Sequence, residues 1–127
     1  MYLLDTNALI WTLTKPEMLT DHALDIITNT DNKLYTSVGS LWEITIKQSI
    51  GKLDIDKSIT EIANECHKED IEFLDIRPTH LAILGNLPFI HRDPFDRLYI
   101  SQAIAEGLTL ITSDTIIPQY NIKTLWK

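Results

Sequence analysis

Four carboxylates stand where a catalytic acid would be placed if the chain folds as strands alternating with helices. Asp5 closes the apolar run Tyr2-Leu3-Leu4, and Glu43 lies early in a breaker-free stretch that follows a short strand pattern. Asp96 sits in Asp93-Pro94-Phe95-Asp96, and Asp114 follows the apolar segment 108–112. Carboxylates brought together repel, so such a cluster needs shared protons or a cation. A hard divalent ion is the natural compensation, because Mg2+ takes oxygen ligands, keeps several waters, and can bind a phosphate oxygen while activating a water nucleophile. No histidine or cysteine with ligand spacing accompanies these acids, which favours Mg2+ or Mn2+ over zinc.

Taken singly, each acid has a simpler role. Asp5 can cap a following helix, Asp93 caps the helix that Pro94 opens, and Asp96 is stabilised in that helix's first turn. Glu43 stands four residues before Lys47, an ordinary ion-pair spacing, and Asp114 can start a turn. Only their joint placement points to a metal site.

The elements that must position them follow from periodicity. A strand at 2–4 leads into a helix over 8–13 that Lys15-Pro16 ends, and a second helix covers about 20–30 behind a Thr/Asp cap. A strand at 33–37 precedes a helix over 40–50 with Gly51 as its stop. Ser58 and Glu61 form a capping box ahead of an apolar stripe that includes Cys66, which therefore reads as core packing. A strand at 71–76, a helix over 78–84 closed by Gly85, a helix over 94–106 before Gly107, a strand at 108–112 and an edge strand at 123–126 complete the pattern. This alternation implies an α/β fold with a mostly parallel sheet and helices on both faces. Ligands of such sheets bind beyond the carboxyl ends of the strands, where all four acids fall.

Length and composition agree. The 127 residues suit a single domain over 1–127, with 44% hydrophobic and 23% charged residues and no repeat or linker. One cysteine rules out a disulfide scaffold within the chain. No apolar run reaches the roughly 20 residues of a membrane span, so no membrane partner is expected and the cytoplasm is the expected location. The formal charge of -7 argues against broad electrostatic capture of nucleic acid. Any phosphate contact must come from a bound cation and local side chains such as Lys47, Arg92 and Arg97, whose alternative role is to neutralise neighbouring acids. His22, His67 and His80 read as surface or packing residues, and His91 as merely adjacent to a motif. Trp11 and Trp42 read as core or interface residues.

Leu3-Leu4-Asp5-Thr6-Asn7, Ser40-Leu41-Trp42-Glu43-Ile44, His91-Arg92-Asp93-Pro94-Phe95-Asp96-Arg97 with Ser101-Gln102-Ala103, and Leu110-Ile111-Thr112-Ser113-Asp114 occur in this order across nearly the whole chain. Together they resemble the PIN-domain ribonucleases, closest to the branch containing VapC-type toxins of bacterial toxin–antitoxin pairs. The resemblance implies a PIN-like three-layer fold and an Mg2+- or Mn2+-dependent endoribonuclease acting on RNA. It implies that Asp5, Glu43, Asp96 and Asp114 bind metal, that Thr112 helps hold the set, and that Thr6 and Asn7 border the first acid. Many relatives carry histidine where Asn7 stands, and Asp114 is the least consistently essential position. The branch also implies a small antitoxin that silences the enzyme and a toxin homodimer.

Two other readings compete. A response-regulator receiver would use Asp75 as phosphoacceptor, Thr112 as switch hydroxyl and Lys123 as phosphate partner, but only Asp5 stands where a receiver needs paired acids. A catalytically inert PIN-fold binding module would keep the fold for interaction alone, against the intact acids.

Overall fold

The computed structural model describes residues 1–127. β1 (Tyr2–Leu4) is apolar, and Leu3 and Leu4 are both fully buried, as in a strand covered on two faces. Asp5 ends β1 and starts α1 (Thr6–Thr14) at once, because its carboxylate accepts the Ala8 N–H at 2.8 Å. The start expected at Ala8 therefore moves to Thr6. α2 (Asp21–Thr28) is capped by the Thr20 hydroxyl.

β2 (Leu34–Ser37) passes directly into α3 (Val38–Ser49), since Ser37 Oγ accepts the Gly39 N–H at 3.0 Å and caps the helix ahead of the expected Ser40. α4 (Ile59–Lys68) has the Ser58–Glu61 capping box read from the sequence. β3 (Ile71–Leu74) stops short of residue 76 because its only partner, β2, ends at Ser37 opposite Leu74. α5 (Pro78–Asn86) continues through Gly85, which was expected to stop it. The helix ends instead at Leu87, which is extended ahead of Pro88, as residues before proline tend to be. α6 (Pro94–Glu106) begins at the Asp93 cap and ends at Gly107, whose φ of 66° is the left-handed conformation glycine adopts without steric cost. β4 (Thr109–Ile111) and β5 (Thr124–Leu125) follow.

The strands form one parallel sheet in the order β3-β2-β1-β4-β5, with β5 at an edge as expected. Leu4, Leu34, Ile71 and Ile111 pack beneath α1 to α4 with Leu9, Ile44 and Cys66. Leu3, Leu74 and Leu110 turn to the other face and pack with Leu98, Tyr99 and Ala103 of α6. The result is the expected α/β three-layer arrangement. From β1 the chain steps outward to β2 and β3, then returns across α6 to β4 on the other side of β1. The order reverses at β1, so a cleft opens beyond its carboxyl end, at Asp5.

This order removes the receiver reading. Asp75 follows an edge strand rather than a central one, and Lys123 precedes β5, at the amino ends of the strands and opposite to Asp75.

Candidate active site

The cleft beyond β1 holds a cavity of about 250 Å3 that no hydrophobic residue lines. Five carboxylates face it: Asp5, Glu43, Asp93, Asp96 and Asp114, together with Lys47, Thr6, Asn7 and Ser113. Asp5 comes from the end of β1, Glu43 from the second turn of α3, Asp96 from the first turn of α6, and Asp114 from the turn after β4. All four acids expected to act jointly are therefore together, although 109 positions separate the first from the last (114 − 5).

Each is held in a defined way. Asp5 is buried, and one oxygen caps α1. Glu43 is also buried: Oε1 accepts the Thr6 hydroxyl at 2.6 Å and the Tyr99 hydroxyl at 2.9 Å, while Oε2 accepts Lys47 Nζ at 2.6 Å. Ser40 Oγ lies 3.0 Å from Thr6 Oγ1 and completes this knot. Asp93 Oδ1 accepts the Phe95 and Asp96 N–H groups and caps α6 as expected. Asp114 Oδ1 accepts the Ile116 and Ile117 N–H groups, and its own N–H donates to Thr112 Oγ1 at 3.0 Å.

The electrostatics follow from crowding negative groups at a dry strand end. Burial raises the Asp5 carboxyl to about 6, and the Glu43 and Asp114 charges add to this. Hydrogen bonds from Thr112 and the Ala8 N–H pull the other way. Asp96 is pushed up to about 7, first by burial and then by the charges of Asp93, Asp5 and Glu43, with His91 opposing. Burial would also raise Asp114, but hydrogen bonds from His91 and the Ile117 and Ile116 N–H groups outweigh it and leave the carboxyl below its ordinary range. Partial burial works against the Lys47 ammonium, yet Glu43, Asp93 and Asp96 together raise its pKa.

The model of the PIN domain family matches residues 2–123. The chain belongs to the PIN domain family. Its fold is similar to solved chains from three complexes. One is VapBC2 from Rickettsia felis bound to a promoter DNA fragment, with 20% identity, 99% of this chain and 98% of that chain covered, and a TM-score of 0.72. FitAcB from Neisseria gonorrhoeae follows at 17% identity, 98% and 96% coverage and 0.69. DNA-bound VapBC from Salmonella typhimurium has 19% identity, 98% and 96% coverage and 0.67. No curated protein matches the chain.

Two expectations for residues around the site of this PIN domain change, those for Arg97 and His91, and one for Trp42 narrows. Arg97 does not face the cavity: the residue is 7% exposed, and its guanidinium donates to the carbonyls of Pro88 at 3.1 Å and Leu84 at 3.2 Å. Its neighbour in sequence, Asp96, occupies the cavity side of α6, and helical rotation turns Arg97 away. Arg92 remains exposed. Trp42, read as core or interface, is 57% exposed and edge-on to Phe95 with ring centroids 5.1 Å apart, which removes the core alternative and leaves the interface one, whereas Trp11 is partly buried against Trp126 as a core residue would be.

The second change concerns His91, which is part of the cluster rather than merely beside it. Its Nε2 lies 3.0 Å from Asp114 Oδ2 and 3.2 Å from Asp96 Oδ2, and its Nδ1 accepts the Asp93 N–H at 3.1 Å. An Nδ1 that accepts leaves the ring hydrogen on Nε2, so this nitrogen donates to the carboxylates and has no lone pair for a metal. Sequence reading also missed Tyr99 and Ser40. Both were findable, since Tyr99 stands three residues after Asp96 and Ser40 three before Glu43, each on the same helical face as its acid.

Proposed function

We propose that this PIN domain is a metal-dependent endoribonuclease that hydrolyses RNA phosphodiester bonds and serves as the toxin of a toxin–antitoxin pair. The observation that carries this reading is the convergence of Asp5, Glu43, Asp96 and Asp114 on one polar cavity at the carboxyl end of β1. The donor set fits Mg2+ or Mn2+: it is all oxygen, and the one adjacent histidine presents a hydrogen rather than a lone pair. Asp5, Glu43 and Asp96 would hold the ion, with Asp114 bordering it through an already anchored carboxylate. Such an ion supplies Lewis acidity toward a phosphate oxygen and makes a water more acidic.

The chain's own residues do the rest. Thr6, Tyr99 and Lys47 fix both oxygens of Glu43, so it enters the cavity in one orientation. Asp5 and Asp96, which burial and neighbouring charge make more proton-binding in the metal-free protein, would give up those protons to hold the ion. Arg92, exposed beside the α6 cap, is the side chain left to meet an RNA phosphate.

The toxin role draws on the resemblance to the VapC branch and on the similar chains belonging to VapBC and FitAB complexes. A small antitoxin would silence the enzyme by inserting a basic side chain among the acids, and the toxin would act in the cytoplasm as a homodimer. The biochemical test is cleavage of structured RNA by the purified chain with Mg2+ or Mn2+, abolished by EDTA and by Asp5→Asn. Cleavage that survives EDTA overturns the metal mechanism, and RNA binding without cleavage favours an inert PIN-fold module. Expression of the chain alone should arrest bacterial growth, and co-expression with an adjacent antitoxin gene should relieve it.

A further inference from the structure

We infer that Tyr120 and Arg97 are positioning residues: they pin the turn between α5 and α6 so that His91 holds the Asp96 and Asp114 carboxylates in register. This rests on the metal-nuclease reading of the same cavity and adds to it a support built from outside the cavity.

The turn from 87 to 93 belongs to no helix or strand, so its main-chain groups need partners from elsewhere. Two buried side chains supply them. The Tyr120 hydroxyl accepts the His91 N–H at 2.8 Å and the Ile90 N–H at 3.1 Å, and donates to the Pro88 carbonyl at 2.8 Å. Arg97 grips the same stretch from α6. Its Nη1 donates to the Pro88 carbonyl at 3.1 Å, and its second hydrogen is shared between the His91 carbonyl and the Tyr120 hydroxyl, each 3.4 Å away. Its Nη2 reaches Leu84 O, and the Phe89 ring covers the guanidinium at 4.6 Å. Both main-chain polar groups of His91 are thus fixed by these two residues.

What they fix is an imidazole with one hydrogen and two carboxylate acceptors. The Asp93 N–H occupies Nδ1, leaving the Nε2 hydrogen to lie between Asp114 Oδ2 and Asp96 Oδ2. Asp96 is carried by α6 and Asp114 by the turn after β4, so His91 joins carboxylates from separate parts of the fold. The clamp has the same two origins: Arg97 follows Asp96 on α6, and Tyr120 lies in the connection that Asp114 opens toward β5. If the turn slackens, the two carboxylates lose their common donor and repel. Groups that orient ligands in this way commonly change metal affinity by about 10- to 100-fold when removed.

The experiment measures Mn2+ binding by the whole chain, from loss of the free-ion EPR signal. Tyr120→Phe keeps the ring and removes the hydroxyl, and should weaken Mn2+ binding about 10-fold while near-UV circular dichroism stays native. His91→Ala should weaken it similarly, and the double variant should bind no worse than His91→Ala alone, because Tyr120 acts through His91. Wild-type affinity in Tyr120→Phe, or losses that multiply in the double variant, overturns the inference. Should Tyr120→Phe fail to fold, Arg97→Lys keeps the charge, loses the planar fork and should show the same loss. In the wild type, long-range proton–nitrogen NMR must find His91 as the Nε2–H tautomer, and an Nδ1–H tautomer overturns the inference without any variant. Cleavage of RNA separates the two proposals. A chain that cleaves with Mn2+ yet binds it equally well as Tyr120→Phe keeps the nuclease and loses the clamp. One that loses Mn2+ as Tyr120→Phe but never cleaves keeps the clamp and loses the nuclease, and a wild type that binds no Mn2+ overturns both.

Discussion

Gly39 on α3 meets Leu98 on α6 so closely that a Cβ added at the glycine would lie 2.6 Å from Leu98 Cδ2. The contact lies between Ser37, which caps α3, and Glu43, and on α6 it falls two residues after Asp96. The absent side chain sets how near the two acid-bearing helices come. Gly39→Ala should therefore force Leu98 or α3 to shift, costing about 1–3 kcal/mol as overpacked cores do. It should also lower Mn2+ affinity by moving Glu43 away from Asp96. Thermal melts and metal titration of the same sample check both effects, and an alanine variant with wild-type stability and metal binding would show that the helices are not in tight contact.

The raised carboxyls give the metal-free protein an unusual pH response. Asp5 at about 6 and Asp96 at about 7 bind protons more tightly when folded than at their ordinary value of 3.8. Between about pH 4 and 7 the folded state holds more protons than the unfolded state, so these groups make stability fall as pH rises. Asp114, lowered in the fold, works in the opposite sense, and its contribution is lost only in stronger acid. The Tm in EDTA should drop by something on the order of 5 °C from pH 5 to pH 8. Asp96→Asn should flatten that slope. Millimolar Mn2+ should raise the Tm more at pH 8 than at pH 5, because protons compete for the same oxygens. A wild-type Tm that climbs over this range would contradict the buried acid cluster.

How much of this could be read from the sequence depended on how local each determinant was. The Asp93-Pro94 start of α6, the Ser58–Glu61 box and the Gly107 stop are fixed by neighbours within a few residues, and all appear as read. The four acids were legible because α/β alternation sends strand ends to one rim, whatever the tertiary detail. Gly85 misled because glycine is tolerated inside a helix, and Pro88 supplied the stronger stop. His91 was opaque for another reason: its partner Asp114 lies 23 positions away and meets it only after β4 pairs with β1. Arg97 was misread because residue type suggests phosphate binding, whereas burial against the carbonyls of Leu84 in α5 and of Pro88 and His91 in the turn after it gives it a different task.

Tyr99 is expected to act on Glu43 alone among the acids. Its hydroxyl donates to Glu43 Oε1, and burial followed by the Glu43 charge raises its pKa far above the ordinary range, so it stays a donor at every physiological pH. Tyr99→Phe should cost about 1 kcal/mol of stability for the lost hydrogen bond. Metal-dependent cleavage should fall about 10-fold as Glu43 loses one of its two Oε1 donors. Thr6→Val removes the other and should be comparable. Undiminished cleavage in both variants would mean that Glu43 needs no fixed orientation.

Arg92 and Arg97 separate substrate binding from architecture within a single turn of chain. Arg92 is exposed, with no hydrogen bond or ion pair to hold it, and is the sequence neighbour of the cavity-lining Asp93, so an RNA phosphate drawn to the site is its natural counter-ion. Arg92→Ala should leave the Tm within about 1 °C, since exposed substitutions rarely change stability. It should raise KM for RNA several-fold and reduce the salt dependence of binding by about one counter-ion. Arg97→Ala should do the reverse. Losing it strips the buried guanidinium's donors from the carbonyls of Leu84 at the end of α5 and of Pro88 and His91 in the turn that follows, at a cost of about 1–3 kcal/mol, and the melt should shift down accordingly. Its effect on salt dependence should be nil, because the guanidinium never reaches solvent phosphate. Equal salt slopes for Arg92→Ala and the wild type would remove Arg92 from the RNA path, and an unchanged melt for Arg97→Ala would contradict its buried network.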